Sequence, residues 1–214
     1  GSGSAEEGAA GTVFTKTTAQ TNGDLVVNNN DQSSGAETVL MGTSTFDTLT
    51  VASSSNFVVP TSTTLSYTTL NIEDGGILTE RGTINFPSLF TIDAGGEVRL
   101  DRARSFTDLT VNGTLSHSPN TTTQEYILNI TVTNDLTINS GGSVDLDEIG
   151  YTGGLDELGS GNGPGGGNNN VNDSGGGGAY GGDGGTSGDA IAGGTAYGSS
   201  TNPVQLGSGG AGGD

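Results

Sequence analysis

Short apolar-x-apolar pairs recur along the middle of the chain: Leu49-Thr50-Val51, Leu70-Asn71-Ile72, Phe90-Thr91-Ile92, Leu109-Thr110-Val111 and Leu136-Thr137-Ile138. Successive pairs are separated by 21, 20, 19 and 27 residues. Three of them run on into a Gly-Gly turn and a second alternating stretch: Ile72-Glu73-Asp74-Gly75-Gly76-Ile77, Ile92-Asp93-Ala94-Gly95-Gly96-Glu97-Val98 and Ile138-Asn139-Ser140-Gly141-Gly142-Ser143-Val144. The pair at Leu109 uses the shorter Asn112-Gly113-Thr114-Leu115. Period-two alternation bounded by Gly and Asn predicts strands, and repetition of the whole unit near 20 residues predicts a repeat architecture.

In a parallel β-helix a coil of that length lays its inward side chains on those of the next, so a narrow continuous core forms from few apolar residues. The pattern therefore predicts an all-β chain, a parallel β-helix over 46–148. The interval of 27 is too long for one coil and places a protruding loop or extra strand at Ser116–Gln124. An antiparallel sandwich or jelly roll, with the same turns closing hairpins, is the alternative. Residues 1–45 are less regular. Thr12–Thr18 and Leu25–Val27 read as short strands of a cap, of a first irregular coil, or of a strand donated to a neighbouring subunit. Gly1-Ser2-Gly3-Ser4 reads as a processing remnant or cloning scar and is set aside.

Residues 149–214 follow a different rule. Twenty-six of the 41 glycines lie between Gly150 and Asp214, many three residues apart: Gly175, Gly178, Gly181 and Gly184; Gly182, Gly185 and Gly188; Gly207, Gly210 and Gly213. Three residues is the polyproline II period, and glycine rows let extended segments approach until their backbones bond to each other. Such a segment is ordered without a hydrophobic core, with Tyr180, Ile191, Tyr197, Val204 and Leu206 interspersed as packing residues. A flexible low-complexity linker is the competing reading.

The strings Gly161-Asn162-Gly163-Pro164-Gly165-Gly166-Gly167, Gly175-Gly176-Gly177-Gly178-Ala179-Tyr180-Gly181-Gly182 and Leu206-Gly207-Ser208-Gly209-Gly210-Ala211-Gly212-Gly213, following Leu-x-Ile-x-x-Gly-Gly coils, carry a resemblance. Over about residues 65–214 the chain resembles glycine-rich parallel β-helix cell-surface or adhesin-like secreted proteins of bacteria and archaea. The resemblance implies an extracellular or cell-surface location and a role in adhesion or in polymerisation into a filament or layer. In that family the glycine-rich stretch leads back into further strands, whereas this sequence ends at Asp214, which fits a fragment or a processed form. Bundles of this glycine type also resemble those of a glycine-rich antifreeze protein and of phage tail adhesin tips. That likeness adds ice binding as an alternative beside carbohydrate binding or cleavage.

Composition narrows the chemistry. Only 29% of the residues are hydrophobic, and 24 acidic residues against Lys16, Arg81, Arg99, Arg102 and Arg104 give a net charge of −19. Nucleic acid and anionic membrane surfaces are disfavoured as partners, while self-association with identical subunits and glycans remain open. No apolar run approaches the roughly 18 residues of a membrane span, and there is no cysteine for a disulfide or thiolate site. Asp145, Asp147 and Glu148, with Asp156 and Glu157, offer oxygen ligands at a turn and make calcium the candidate cofactor against a solvated acidic face. Asn112, Asn120, Asn129 and Asn172 open Asn-x-Ser/Thr sequons and are candidate glycosylation sites. His117 reads as a surface residue, with no nucleophile elbow to accompany it. Asp101, Arg102 and Arg104, with Arg99 nearby, read as charge compensation. No catalytic residues are assigned, and the chain is expected not to be an enzyme.

Overall fold

The computed structural model describes residues 8–32, 36–155, 159–169, 174–199 and 201–212. The chain divides into two compact units. The first runs to His117 and resumes over Leu128–Asp145; the second comprises Ser118–Ile127 and the chain from Leu146 onward.

The first unit is a parallel β-solenoid. Its strands are β1 (Gly11–Thr15), β2 (Asp24–Asn28), β3 (Glu37–Val39), β4 (Ser44–Ala52), β5 (Asn56–Val59), β6 (Thr64–Ile72), β7 (Ile77–Glu80), β8 (Thr83–Ile84), β9 (Leu89–Ile92), β10 (Glu97–Leu100), β11 (Arg104–Phe106), β12 (Asp108–Val111), β13 (Thr114–Ser116), β14 (Ile130–Val132), β15 (Leu136–Ile138) and β16 (Ser143–Val144). One face is a six-stranded sheet, β16-β13-β10-β7-β5-β3, parallel throughout. The other is split into β1-β2-β4-β6-β8 and β15-β12-β9, and β11 with β14 forms a short third side.

The apolar pairs stack as the spacing predicts. Leu25, Leu49 and Leu70 are register partners, as are Val27, Val51 and Ile72. Beyond the split, Phe90, Leu109 and Leu136 align, as do Ile92, Val111 and Ile138. On the opposite sheet Thr38, Phe57, Leu78, Val98, Leu115 and Val144 form one inward column. Leu49, Leu78, Ile92, Val98, Val111 and Leu115 are wholly enclosed. Burial at roughly 1.5–3 kcal/mol per aliphatic side chain makes these columns the main stabilising term.

The two glycines of each turn have separate jobs. Gly76 N–H bonds Glu73 O, Gly96 N–H bonds Asp93 O and Gly142 N–H bonds Asn139 O, closing the same four-residue turn in three layers. Gly75, Gly95 and Gly141 take the positive φ that the third position requires, +71°, +81° and +90°. At Gly76, Gly96 and Gly142 a Cβ would collide with the carbonyl of Val51, Ile72 or Val111 in the preceding layer. The second glycine is thus demanded by stacking rather than by turn conformation.

The coils begin earlier than residue 46, because β2 and β3 already sit in register with β4 and β5. β1 folds back antiparallel on β2, Phe14 opposite Leu25, so in this structure the N-terminal strand pairs within its own chain. Its turn is fastened by Asp47, whose carboxylate accepts from Gly23 N–H at 3.0 Å and from Asn22 N–H and Nδ2 at 3.1 Å. These donors, Gly23 foremost, hold the Asp47 carboxyl below the usual range. The long interval after Leu109 is taken up by Ser118–Ile127, which leaves the first unit altogether.

In the second unit the glycine segments are joined by isolated backbone bonds rather than ladders: Gly161 to Gly167, Gly167 to Gly209, Gly184 to Gly194, Gly194 to Gly177, Ala211 to Gly176 and Gly212 to Gly159. A single antiparallel bridge, Asn169 with Gly175, is its one β pairing among the described residues. Gly175, Gly178 and Gly184 of the first glycine row face neighbouring backbone, whereas Gly182, Gly185 and Gly188 meet nothing within 4 Å and line an open face. Tyr180 and Tyr197 pack edge to face at 5.3 Å, and the Tyr197 hydroxyl donates to Leu206 O.

A Cβ at residue 194 would penetrate Gly165 O, and one at 182 would enter open space. Gly194→Ala is therefore expected to strip hydrogen-exchange protection from the amides of this unit, while Gly182→Ala leaves it unchanged; equal effects would contradict the packing.

Candidate functional site

Arg81, Arg102 and Arg104 work between layers, whereas Arg99 pairs within its own strand. Arg81 forks onto Glu37 with bonds of 2.8 and 2.6 Å and lies 3.4 Å from Asp101. Arg99 Nε donates to Glu97 at 2.6 Å, and Ser116 Oγ of the next layer donates to the same oxygen, also at 2.6 Å. Arg102 donates to Gly82 O and, at 3.1 Å, to Thr83 Oγ1. Asp101 and the three arginines read as charge compensation are thus bound into the wall of the solenoid.

The pair of Arg104 and Glu80 goes further. Glu80 occupies an inward position between Val59 and Leu100 and is fully buried. Its carboxylate accepts Ile84 N–H at 2.8 Å, Arg104 Nε at 2.7 Å and Arg104 Nη2. The guanidinium lies 5.8 Å from the Phe86 ring centre, beside the Phe86–Phe90–Phe106 cluster. Desolvation lowers the Arg104 pKa from its ordinary value, with Tyr67 acting in the opposite sense. Burial in turn raises the Tyr67 hydroxyl well above the ordinary tyrosine value.

Asp145 follows β16, its N–H donating to Leu115 O at 3.0 Å, while Asp147 and Glu148 belong to the second unit. Asp156 and Glu157 lie outside the described residues. Among the described residues no group of three or more His, Asp or Glu side chains is placed to hold a metal ion.

The sequons differ from one another. Asn129 is exposed, and Asn112 is half-buried with its Oδ1 accepting from Asn139 Nδ2 at 2.8 Å. Asn120 is only 4% exposed: its Nδ2 donates to Tyr126 O and Ile149 O, and its Oδ1 accepts from Glu125 and Tyr126 N–H. That amide is a structural clamp, and a glycan on its nitrogen would break both donated bonds. Asn172 lies outside the described residues. His117 is 2% exposed, which corrects the surface placement; it directly follows β13, where the chain passes from one unit to the other.

Two features were not read from the sequence. The first is the distribution of exposed apolar side chains. Among the described residues of the solenoid unit, the exposed large hydrophobics are Val13, Phe14, Val39 and Met41 around its first layer, Leu136, Ile138 and Val144 in its last, and Leu89 between. Leu136, Ile138 and Val144 occupy the columns that are enclosed one layer earlier at Leu109, Val111 and Leu115, yet are 47%, 49% and 38% exposed. These terminal layers also end their sheets: β3 and β16 bound the six-stranded sheet, and β1 and β15 bound the split one. An unpaired strand edge with an apolar inward face is a template for further pairing.

The second feature is the break between β6 and β9. No ladder joins these strands, and a cleft of about 330 Å³ opens there, walled by Tyr67, Leu70, Pro87, Leu89 and Phe90 with Thr68, Thr69, Thr91 and Asp93. The coils are pinned on either side of it, at Leu65 with Ile84 and by Gly75 N–H to Gly95 O at 3.0 Å, so it admits no inserted strand. Pro87, which cannot donate to a ladder, is the sequence signal for this break.

Comparison with protein-family models, with curated proteins and with solved structures returned no match.

Removing one member of a buried ion pair leaves the other uncompensated, at about 3–5 kcal/mol, whereas replacing both by apolar groups is often neutral. Arg104→Met is expected to lower the urea-unfolding stability by that order, and Glu80→Leu added to it to restore most of the loss. A double variant no better than the single would show that the pair is not coupled.

Proposed function

We propose that this chain is a secreted structural or adhesive subunit that works at the cell surface by associating with copies of itself into a filament or layer. The observation that carries this reading is the confinement of exposed apolar side chains, Leu89 apart, to the two terminal layers of the solenoid unit. A side wall held by ion pairs and hydroxyls and ends that expose core positions favour contact at the ends. The role of Arg81 and Arg104 as ties between layers supports a structural rather than a catalytic use of them.

Magnitudes set the conditions. Covering Leu136, Ile138 and Val144, each about half exposed, recovers roughly 1 kcal/mol apiece, which is small beside the loss of translational and rotational freedom. Assembly is therefore concentration-dependent. It is also opposed by the repulsion of subunits carrying −19 each, which salt or calcium would screen.

Light scattering and electron microscopy of the purified chain are expected to show assemblies that grow with protein, salt and calcium concentration. Ile138→Asp, on a half-exposed position, is expected to abolish them with the fold retained. Dispersed monomers under every condition would overturn the reading.

A further inference from the structure

The break between β6 and β9 leaves two strand edges facing each other with no ladder between them. Successive residues of an extended strand turn their backbone groups to opposite edges. Glu73 N–H donates to Val51 O at 2.9 Å, on the β4 side, so Leu70 directs its N–H and C=O toward the cleft. Asn112 N–H donates to Ile92 O at 2.9 Å, on the β12 side, so Thr91 directs its own toward the cleft from the other wall. Both walls therefore offer backbone donors and acceptors, joined by the exposed hydroxyls of Thr69 and Thr91 and the exposed Asp93 carboxylate. Apolar surface comes from Leu70, Pro87 and Leu89. Leu89 is 62% exposed and is, among the described residues, the exposed large hydrophobic of this unit that its terminal layers do not account for.

We infer that this cleft binds one neutral sugar ring. Its volume of about 330 Å³ lies at the lower end of small-molecule clefts, roughly 300–1,000 Å³, which suits a single six-membered ring with its hydroxyls. A pyranose carries hydroxyls around its rim, each both donor and acceptor, and C–H groups on its faces. It therefore satisfies the two backbone edges and Asp93 while its apolar face covers Leu89 and Pro87. A purely apolar ligand would bury the backbone groups of Leu70 and Thr91 without partners, which is costly. An anion finds no Lys, Arg or His among the lining residues and meets a chain of net charge −19. A divalent cation finds one carboxylate, Asp93, where it needs several oxygen ligands. The site lies away from the ends of the solenoid unit, so it does not depend on self-association.

Titration of the ¹⁵N-labelled full chain with the methyl glycosides of glucose, galactose and mannose, followed through its amide shifts, tests the site. Saturable shifts of the Leu70, Thr91 and Asp93 amides with at least one of the three are the expected result. Asp93→Asn keeps the turn and removes the charged acceptor, and is expected to weaken that binding about fivefold. Leu89→Ser, at an exposed position, removes the apolar platform and is expected to weaken it several-fold, circular dichroism confirming that each variant folds. Glucuronate and glucosamine supply the charged arms: tighter binding of either than of every neutral glycoside would overturn the neutral ring. Absence of saturable shifts at these amides up to the solubility of all three glycosides would overturn the site, as would shifts that both variants leave unchanged. These outcomes bear on the cleft alone, whereas self-association is read separately by scattering.

Discussion

The first unit depends on one constraint: each coil must lie in register on the next, so that its inward side chains cover equivalents and its backbone groups find partners. A chain only 29% hydrophobic cannot enclose a broad core, but it can fill a narrow one, because a column such as Leu78–Val98–Leu115 uses one side chain per layer. A shift of one residue would turn every such side chain outward. Register is therefore the quantity that the turns and ion pairs of this unit hold in place.

The polar residues make sense in that frame. Ser116 on Glu97 and Arg104 on Glu80 tie residues separated by about one coil, and Arg81 spans two. Like-charged neighbours stacked at the strand spacing would repel, and Arg81 sits where Glu37 and Asp101, carboxylates from different layers, converge. The second unit reaches order by other means, its glycines bringing carbonyl and amide groups into contact with no side chain between them.

Much of the solenoid was legible because spacing and turn chemistry agreed. The columns through Leu49, Leu70 and through Phe90, Leu109 and Leu136 are those read from the apolar pairs. The first layer was left open between a cap, a first irregular coil and a donated strand because the early turns use other residues. Asn30 and Asp31, and then Ser53 and Ser54, take the positive φ that later turns give to glycine, so no Gly-Gly signal marks them. Glu80 was hidden because a carboxylate is not expected in an inward column, and its partner lies 24 residues away. Burial of Asn120 goes with its bonds to Tyr126 O and to Ile149 O, the latter 29 residues away, which local pattern does not report. The exposed terminal positions look like every other apolar pair in sequence; only stacking shows that Leu136 and Ile138 end their columns, about half exposed.

The central claim is register, and outward threonines report it without disturbing the core. Thr91, Thr110 and Thr137 are successive partners on β9, β12 and β15. Neighbouring strands stand about 4.8 Å apart and alternate ones about twice that, on either side of the reach of a disulfide. Cysteine pairs at 91 and 110, and at 110 and 137, are expected to oxidise rapidly within one chain, while a pair at 91 and 137 stays reduced. Ready bridging of 91 to 137, or failure of both adjacent pairs, would contradict the stacked solenoid.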